Sequence, residues 1–354
     1  MKQLPNLNPL RLFLAVVVVL FHVPLLSKSL NIPFYNDLVI FQRGTEAVKF
    51  FFTLSGFLII KLLYNEKTET NTVNLKEFYS RRALRIFPAY YLVILTGIIV
   101  YHFLLPTVGI NFNIKYNLFQ LAAYYVVFLP NIFNIIYDPG AIFLVLWSIG
   151  IEEQFYLIIP LLIKTIRSKY LILVLCSILV VYLIIYVNSD LLMRFDLMYF
   201  YLLFGGVVSI LYKKLSFLKI SFIKYTLILI FLLLFFTNLQ DHLNRFALEA
   251  CTMIISGLFI TMIAYYPPIV IKNQLINYLG QISYGIYMYH YIVLYGVLFA
   301  YLKILKQLNL TPSVSIFYTT VTTLFLTIIC AHLSYKYFES FFLKKKRRNW
   351  QNIK

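Results

Sequence analysis

The sequence predicts an all-α, polytopic integral membrane protein of about ten transmembrane helices. Of its 354 residues, 61% are hydrophobic and only 12% are charged, and the mean hydropathy is +0.82. Soluble domains carry about 25% charged residues. The apolar residues fall into runs of about 17 to 25, the length that a helix needs to cross about 30 Å of hydrocarbon. No soluble fold could bury so much apolar surface, so we expect lipid to be the solvent.

Eleven apolar segments are candidate spans. We interpret the first as a span and not as a cleavable signal peptide, because no small-x-small cleavage site follows it. In chain order, the segments run at 10–26, 45–64, 88–105, 117–135, 147–166, 170–187, 195–212, 220–237, 246–266, 284–302 and 313–337.

Basic residues in the loops decide which segments cross, because cytoplasmic loops retain Lys and Arg. If 117–135 does not cross, 22 of the 31 basic residues lie on the cytoplasmic side and 7 outside; if it crosses, the numbers become 12 and 17. The sequence therefore predicts ten spans in the cytoplasmic (inner) cell membrane, with both termini cytoplasmic. The part near 111–141 is then a re-entrant or interfacial segment that faces outwards, and protein must cover its backbone.

The chain shows no internal repeat, linker or break in composition. We expect one membrane domain over residues 1–340 and a basic cytoplasmic tail over 341–354. The formal charge of +18 could suggest nucleic acid, but the basic residues cluster at the ends of apolar runs, as orientation signals and lipid-headgroup contacts do. We therefore expect membrane lipid as a partner and no nucleic acid, and the sequence names no protein partner.

Metal and disulfide chemistry receive no support from the sequence. The three cysteines lie far apart inside apolar runs, so they form neither a disulfide framework nor a metal-ligand spacing. His102, His242 and His332 lie near span ends or in a loop without partners at metal spacing. We assign these histidines no role and expect no metal.

The first span carries an arginine and a histidine, and ionisable residues within spans are costly enough to be functional candidates. Arg11 and His22 are eleven residues apart, so in a helix they share one face, separated by a rise of about 16 Å. Arg11 would lie near the cytoplasmic surface and His22 past the midplane, facing the bundle interior. A snorkelling anchor for Arg11 and a hydrogen-bonded core position for His22 are the alternatives, and these two residues alone do not decide.

Residues 75–87 are predicted to form a short amphipathic helix on the cytoplasmic face, which Pro88 closes as the next span begins. Arg82 and Arg85 are three residues apart, so they lie on one side of this helix. Guanidinium pairs bind phosphate bidentately, which favours a phosphorylated ligand. Binding of lipid headgroups explains the same pair equally well.

Residues 147–156, Trp-Ser-Ile-Gly-Ile-Glu-Glu-Gln-Phe-Tyr, open a span from the outer side with two adjacent carboxylates. Glu152 and Glu153 point about 100° apart, so one can face the protein while the other faces water. Desolvation and a neighbouring histidine could tune such a glutamate for proton transfer.

Two further segments carry small or aromatic residues inside spans. Ser55 and Gly56 favour close helix packing over a nucleophilic serine. His290 lies among tyrosines that could stack on a sugar ring, although aromatic belts and core packing explain tyrosines in most spans.

Five motifs in this order resemble the acyltransferase-3 family of membrane-bound acyltransferases, over nearly the whole chain. They are Arg-x10-His (11–22), Phe-Phe-x-Leu-Ser-Gly-Phe (51–57), Arg-Arg-x-x-Arg-Ile-x-Pro-x-Tyr (81–90), Trp-Ser-x-x-x-Glu-x-x-Phe-Tyr (147–156) and Ile-Ser-Tyr-x-x-Tyr-x-x-His (282–290). Any one of them is a weak signal, whereas five in order are specific.

Two departures from the family pattern matter. Lys49 stands where the family often has an acidic or small polar residue, so a carboxylate role cannot be transferred there. The chain ends in a basic tail, so we expect the stand-alone kind without the appended esterase-like domain.

The resemblance implies transfer of an acyl group, usually acetyl from acetyl-CoA, to a hydroxyl of a cell-surface glycan. Residues 1–340 would then be the acyltransferase domain, with the acyl-CoA donor and the glycan acceptor as its partners. Its motifs imply a site whose residues fall into three groups: catalytic His22 and Glu152; donor-binding Arg11, Arg82 and Arg85; and substrate-binding Trp147, Ser148, Tyr156 and His290. The main alternative is a transporter or flippase for polysaccharide or lipid-linked glycan without catalytic activity, although the paired repeats with interrupted helices that transporters often show are not found.

Overall fold

The structure is a computed structural model that describes residues 4–107, 109, 112–308 and 310–344. Within these residues the regular secondary structure is helical, which confirms the predicted all-α class. The α-helices are α1 (Leu7–Ser29), α2 (Gly44–Thr70), α3 (Leu75–Ile98), α4 (Leu105–Thr107), α5 (Leu118–Val126), α6 (Pro130–Tyr137), α7 (Ala141–Leu144), α8 (Trp147–Thr165), α9 (Ser168–Val187), α10 (Asp190–Arg194), α11 (Tyr199–Leu211), α12 (Ser221–Phe236), α13 (Arg245–Tyr265), α14 (Gln274–Gln281), α15 (Ser283–Lys303) and α16 (Pro312–Leu333). Two π-helical turns, Ile99–Leu104 and Ser334–Glu339, follow α3 and α16.

Among the described residues, eight helical stretches are long and apolar enough to cross a membrane. They are Leu7–Ser29, Gly44–Thr70, Leu75–Thr107, Ala141–Thr165, Ser168–Val187, Arg245–Tyr265, Ser283–Lys303 and Pro312–Lys344, and the shorter apolar helices α11 and α12 add two more. These ten stretches lie at the ten predicted spans. The chain is therefore a polytopic membrane protein.

The segment predicted not to cross is broken into two short helices. α5 has 9 residues and α6 has 8, so each rises about 12 to 14 Å, less than half the hydrocarbon thickness. The break falls at Phe128, whose φ is 59°, and Pro130 is the first residue of α6. Two tyrosine hydroxyls hold this segment in place. Tyr90, on α3, donates to the carbonyl oxygen of Tyr125, on α5, at 3.0 Å. Tyr125 in turn donates to Oδ1 of Asn134, on α6, at 3.0 Å.

Pro88 does not close a short helix, so that prediction is wrong. α3 runs without interruption from Leu75 to Ile98 with Pro88 inside it. Proline removes one intrahelical hydrogen bond, but spans tolerate it where neighbouring groups satisfy the freed carbonyl. The amphipathic part and the span are thus one continuous helix, which also carries the arginines of the amphipathic part.

The described residues form two compact units, each gathered from separate stretches of chain. Those within Met1–Phe21, Asn36–Val73 and Ile151–Gln281 form unit 1, and those within His22–Tyr35, Asn74–Gly150 and Ile282–Lys354 form unit 2. The predicted tail 341–354 lies outside the described residues from position 345 onward, so its separation from the membrane domain stays a prediction.

Unit 1 is built around the close contact of α2 with α11. A Cβ added at Gly56 would lie 1.8 Å from the carbonyl oxygen of Leu202, and one added at Gly205 would lie 2.0 Å from that of Thr53. Only glycine allows the two backbones to approach so closely. The predicted packing role of Gly56 is confirmed.

A buried ion pair crosses the same unit from α2 to α13. Nζ of Lys49 is 2.8 Å from Oε1 of Glu249, and their side chains are only 5% and 10% exposed. The hydroxyl of Tyr201, on α11, donates to Oε2 of Glu249 at 2.7 Å. Thr53 and Ser256 join α2 to α13 one turn further on, with 2.9 Å between their hydroxyls. The carboxylate of Glu249 on α13 therefore accepts hydrogen bonds from both α2 and α11.

Asp196 lies in the turn between α10 and α11, where its titration is expected to affect stability. Burial raises the pKa of this carboxyl to about 6, although the charge of Lys49 opposes the shift and that of Glu249 adds to it. Because the pKa in the folded protein exceeds the ordinary value of about 3.9, the protonated form is favoured by folding. The protonated carboxyl of Asp196 therefore stabilises the folded protein in full below about pH 4, and this contribution is lost as the pH rises through about 6.

We therefore expect Asp196→Asn to abolish part of the pH dependence of thermal stability. The wild-type protein should lose about 1 kcal/mol, or about 2–4 °C in Tm, between pH 4 and pH 7, after allowance for the partial exposure of the carboxyl. Scanning fluorimetry in detergent at both pH values measures this. Asp190→Asn, which removes an exposed carboxylate nearby, is the control and should retain the wild-type dependence. An unchanged slope in the Asp196 variant would contradict the assignment.

Unit 2 packs α15 against α16 and against α3. Gly285 on α15 faces Ala331 on α16, whose Cβ would be 3.1 Å from an added methyl group. The π-helical turn Ile99–Leu104 holds Tyr101, whose hydroxyl accepts from the backbone N–H of Ile142 at 3.1 Å. Gly140, with a φ of 101°, leaves room for that hydroxyl, since a Cβ there would lie 2.6 Å from it. The turn before α7 is thereby fixed against α3.

Candidate active site

Two histidines that the sequence presents in separate motifs lie against each other in unit 2. Nδ1 of His22, on α1, is 3.1 Å from Nε2 of His290, on α15. Their rings stack with centroids 4.9 Å apart, and the ring of Tyr291 packs on His22 at 4.6 Å. His290 is fully buried, while His22 is partly exposed. The pair therefore joins a reachable imidazole to an inaccessible one.

The hydrogen bonds of the pair define which nitrogen carries each proton. Nδ1 of His290 is 2.5 Å from the carbonyl oxygen of Tyr287. A carbonyl only accepts, so this Nδ1 carries a proton and Nε2 of neutral His290 is an acceptor. Nδ1 of His22 then donates to His290, and Nε2 of neutral His22 is its proton-accepting nitrogen. An imidazole oriented in this tautomer is suited to general-base chemistry.

Tyr287 also connects the histidine pair to the start of α8. Its hydroxyl is 2.6 Å from Oγ of Ser148, which is itself buried. The structure thus brings together two predicted substrate-binding residues, Ser148 and His290, through one tyrosine. Trp147 precedes Ser148 as the first residue of α8 and is half-buried.

Glu152 and Tyr156 lie one turn apart on α8, in unit 1. The hydroxyl of Tyr156 donates to Oε2 of Glu152 at 2.9 Å and also bonds the hydroxyl of Ser55. Glu152 is partly exposed, whereas Glu153 is buried, so the two carboxylates do face different surroundings as predicted. Glu152 and His22 belong to different units, and their cooperation stays a prediction.

The predicted donor-binding arginines have different surroundings. Arg11, in unit 1, donates from Nη1 to Oδ1 of Asn8 at 3.0 Å. In unit 2, the guanidinium of Arg82 is half-buried and lies 5.8 Å from the centroid of Phe78. Arg85 is exposed. Arg81, between the predicted pair and the helix start, is held by Glu77 at 2.9 Å.

Arg85 has a carboxylate neighbour that the sequence did not suggest. Glu339, in the second π-helical turn, is buried and interacts electrostatically with Arg85. Oγ of Ser334 donates to Oε1 of Glu339 at 3.0 Å, and Tyr289 is 2.7 Å from that same Oγ. This Tyr289–Ser334–Glu339 network links α15 to the exposed cation of α3.

The family model of the acyltransferase-3 proteins, described as an acyltransferase domain, matches residues 4–332 of the chain. The chain belongs to this family. The predicted resemblance is therefore confirmed, and the matched part spans from α1 to α16 in both units.

Three curated proteins illustrate the relatives of this acyltransferase-3 domain. The peptidoglycan O-acetyltransferase OatA of Listeria monocytogenes is 29% identical over 161 residues, 45% of this chain and 24% of that protein. The O-acetyltransferase OatA of Staphylococcus aureus strain NCTC 8325 is 29% identical over 48% of this chain and 26% of its own length. A Staphylococcus aureus protein provisionally named an O-acetyltransferase is 27% identical over 99% of this chain.

The chain spans only part of each relative, namely 24%, 26% and 59% of their lengths. No solved structure matches it. In the described part of the acyltransferase-3 domain, no three His, Cys, Asp or Glu side chains are grouped so that they could hold a metal.

Sequence patterns missed three residues of this arrangement, Tyr287, Tyr291 and Glu339. Tyr287 lies inside the last family motif, three residues before His290, so the motif itself contained the signal. Tyr291 follows that motif directly. Glu339 follows the last predicted span, where an acidic residue in an otherwise basic and aromatic stretch is the signal that could have found it.

Proposed function

We propose that this domain is a membrane-bound O-acyltransferase that moves an acetyl group from cytoplasmic acetyl-CoA to a hydroxyl of a cell-surface glycan, such as exopolysaccharide, capsule or lipopolysaccharide. The family match over residues 4–332 carries the proposal. The names of the relatives support an O-acetyl group, and one of them names peptidoglycan, which is also a surface glycan.

The orientation is the one that the basic residues predict, with both termini and the start of α3 on the cytoplasmic side. Acetyl-CoA is made there, and its phosphates need cationic partners. Arg82 and Arg85 bind these phosphates, and Arg11 stays a predicted donor-binding residue. Guanidinium groups suit this task because each can give phosphate two parallel hydrogen bonds.

His22 acts as general base in the transfer. Its Nε2 takes the proton of the acceptor hydroxyl as the hydroxyl oxygen bonds to the thioester carbonyl carbon. The carbon–sulfur bond then breaks, the sulfur of CoA leaves with the proton that Nε2 of His22 returns, and the acetyl group remains on the acceptor as an ester. The donor supplies the acetyl group in activated form, so the step needs no oxidant or metal.

The remaining predicted residues orient the reactants. His290 holds the tautomer and the direction of His22, in the way that a carboxylate orients the histidine of a hydrolase triad. The role that the family motifs predict for Glu152 is to balance the charge that His22 gains. Trp147, Ser148, Tyr156 and His290 shape the acceptor side of the site. A covalent acetyl-histidine relay through His22 is the other route to the same products, and trapping of labelled acetyl on the protein would distinguish it.

The rival function is a glycan transporter or flippase without catalysis. It accounts for ten spans and for aromatic lining, but it gives no reason for arginines on α3 or for a stacked histidine pair. Binding of acetyl-CoA separates the two functions, because a transporter of glycans has no need of it.

We expect Arg85→Ala to weaken acetyl-CoA binding by about 10- to 100-fold, because a hydrogen bond to a charged group is worth about 1.5–3 kcal/mol. Isothermal titration calorimetry on the purified protein in detergent measures the Kd. Arg81→Ala is the matched control: Arg81 lies on the same helix, but Glu77 already holds it, so its loss should change the Kd less than about threefold.

Equal losses in the two variants would mean that the arginines act only through overall charge. Absence of acetyl-CoA binding by the wild-type protein would remove the proposed donor. A cysteine at position 82 that reacts with an impermeant maleimide from outside intact cells would contradict the orientation.

A further inference from the structure

Two buried polar atoms lie together at the π-helical turn that follows α3. The ring of His102, inside the turn, meets the ring of Tyr116 edge-on, with centroids 5.7 Å apart. Nε2 of His102 and the hydroxyl of Tyr116 are both buried, and no hydrogen-bond partner for either is present among the described residues. A buried polar atom without a partner costs about 1–3 kcal/mol. Retaining two of them side by side, at a π-turn of the kind often found in functional sites, indicates a ligand.

The surroundings of this pair are aromatic. Tyr116 is 7% exposed, and its ring packs against Phe133 at 5.1 Å, Tyr137 at 6.4 Å and Phe143 at 6.5 Å. Small-ligand sites combine a wall of this kind with a few convergent polar groups. A saccharide ring has the matching chemistry, because it offers an apolar C–H face to the aromatic wall and hydroxyls to the polar atoms.

A series of tyrosines connects this place to the histidine pair within unit 2. The hydroxyl of Tyr101, in the same π-turn as His102, is 3.4 Å from that of Tyr295. Tyr295 lies one helical turn after Tyr291 on α15, and the ring of Tyr291 packs on His22 at 4.6 Å. Tyrosine side chains therefore connect the π-turn that holds His102 to the proposed general base.

We propose that His102 and Tyr116 form the acceptor subsite, where they bind hydroxyls of a saccharide unit and thereby present another hydroxyl to His22. This inference rests on the proposed function, which it deepens by placing the acceptor. Burial raises the pKa of Tyr116 to about 12, so the phenol keeps its proton and can donate it at physiological pH. Nε2 of His102 supplies either a donor or an acceptor, depending on its tautomer.

Tyr116→Phe tests the subsite, because it removes the hydroxyl and keeps the ring packing. The protein is placed in proteoliposomes with labelled acetyl-CoA on the side that exposes the arginines, and with the tetramer of N-acetylglucosamine on the other. We expect the half-saturating concentration of the tetramer to rise about tenfold, the equivalent of one lost hydrogen bond. His102→Ala should raise it at least as much. Binding of acetyl-CoA should stay within twofold of wild type in both variants.

Tyr125→Phe is the matched control, because Tyr125 is also buried and lies nine residues further along the chain, but its hydroxyl donates to Asn134. Its loss should lower the Tm and leave the tetramer dependence unchanged, whereas Tyr116→Phe should leave the Tm unchanged or raise it. An unaltered tetramer dependence in both the Tyr116 and His102 variants would overturn the inference. So would a wild-type protein that binds acetyl-CoA but shows no saturable dependence on the tetramer, since the saccharide would then be excluded while the donor function stands. Failure to bind acetyl-CoA would instead defeat the proposed function.

Discussion

Replacing His22 with alanine is expected to lower the rate of acetyl transfer by about 10²- to 10⁴-fold, because general-base assistance is typically worth that much. The loss should appear in kcat, while the Kd for acetyl-CoA stays near wild type. His22 lies eleven residues along α1 from Arg11, the predicted donor-binding residue of that helix. Transfer of labelled acetyl from acetyl-CoA to a saccharide in proteoliposomes measures the rate. His242→Ala, which removes an exposed histidine, should retain full activity.

His290 provides a second test of the same mechanism, since its role is positioning. His290→Phe removes the acceptor for Nδ1 of His22 and should lower kcat strongly. His290→Gln keeps an amide oxygen that can accept from His22 and should recover part of the rate. Full activity of His22→Ala would remove His22 from the mechanism, and equal rates for the two His290 variants would remove the tautomer argument.

The spans were predictable because the membrane constrains them so strongly. A backbone in lipid must satisfy its own hydrogen bonds, so an apolar run of sufficient length has to be a helix. The charge count also excluded 117–135 as a span, and the structure breaks that segment at Phe128. Pro88 misled the prediction, because the rule that proline ends helices is weaker within lipid than in water.

The histidine pair could not be predicted from spacing. Positions on one helix define a face of that helix, so Arg11 and His22 could be compared, but His22 and His290 are 268 residues apart. The motif at 282–290 marked His290 as important without stating what it contacts. Only the packing of α1 and α15 within unit 2 shows that one histidine fixes the tautomer of the other.

Lys49 illustrates a residue whose partner had to be found in three dimensions. The sequence showed a lysine inside a span where the family often has an acidic or small polar residue, and it offered no counter-charge nearby in the chain. Glu249 supplies that counter-charge from α13, 200 residues away. The position is therefore a structural ion pair in this protein, which explains how a lysine is tolerated at such a depth.

We expect Lys49→Met to destabilise the folded protein by about 3–5 kcal/mol, because it leaves the carboxylate of Glu249 buried without its counter-charge. The double variant Lys49→Met/Glu249→Met should recover most of that loss, since desolvating both charges costs about as much as their attraction returns. Denaturation in mixed detergent micelles, followed by tryptophan fluorescence, measures the free energy of unfolding.

The more exposed pair Arg81–Glu77 is the control for this prediction. Arg81→Met should lower the free energy of unfolding by about 0.3–0.5 kcal/mol, because an i,i+4 pair near the surface contributes little. If Lys49→Met were as harmless as Arg81→Met, the buried pair would not hold α2 to α13. If the double variant were no better than the single one, Lys49 would be required for something other than neutralising Glu249.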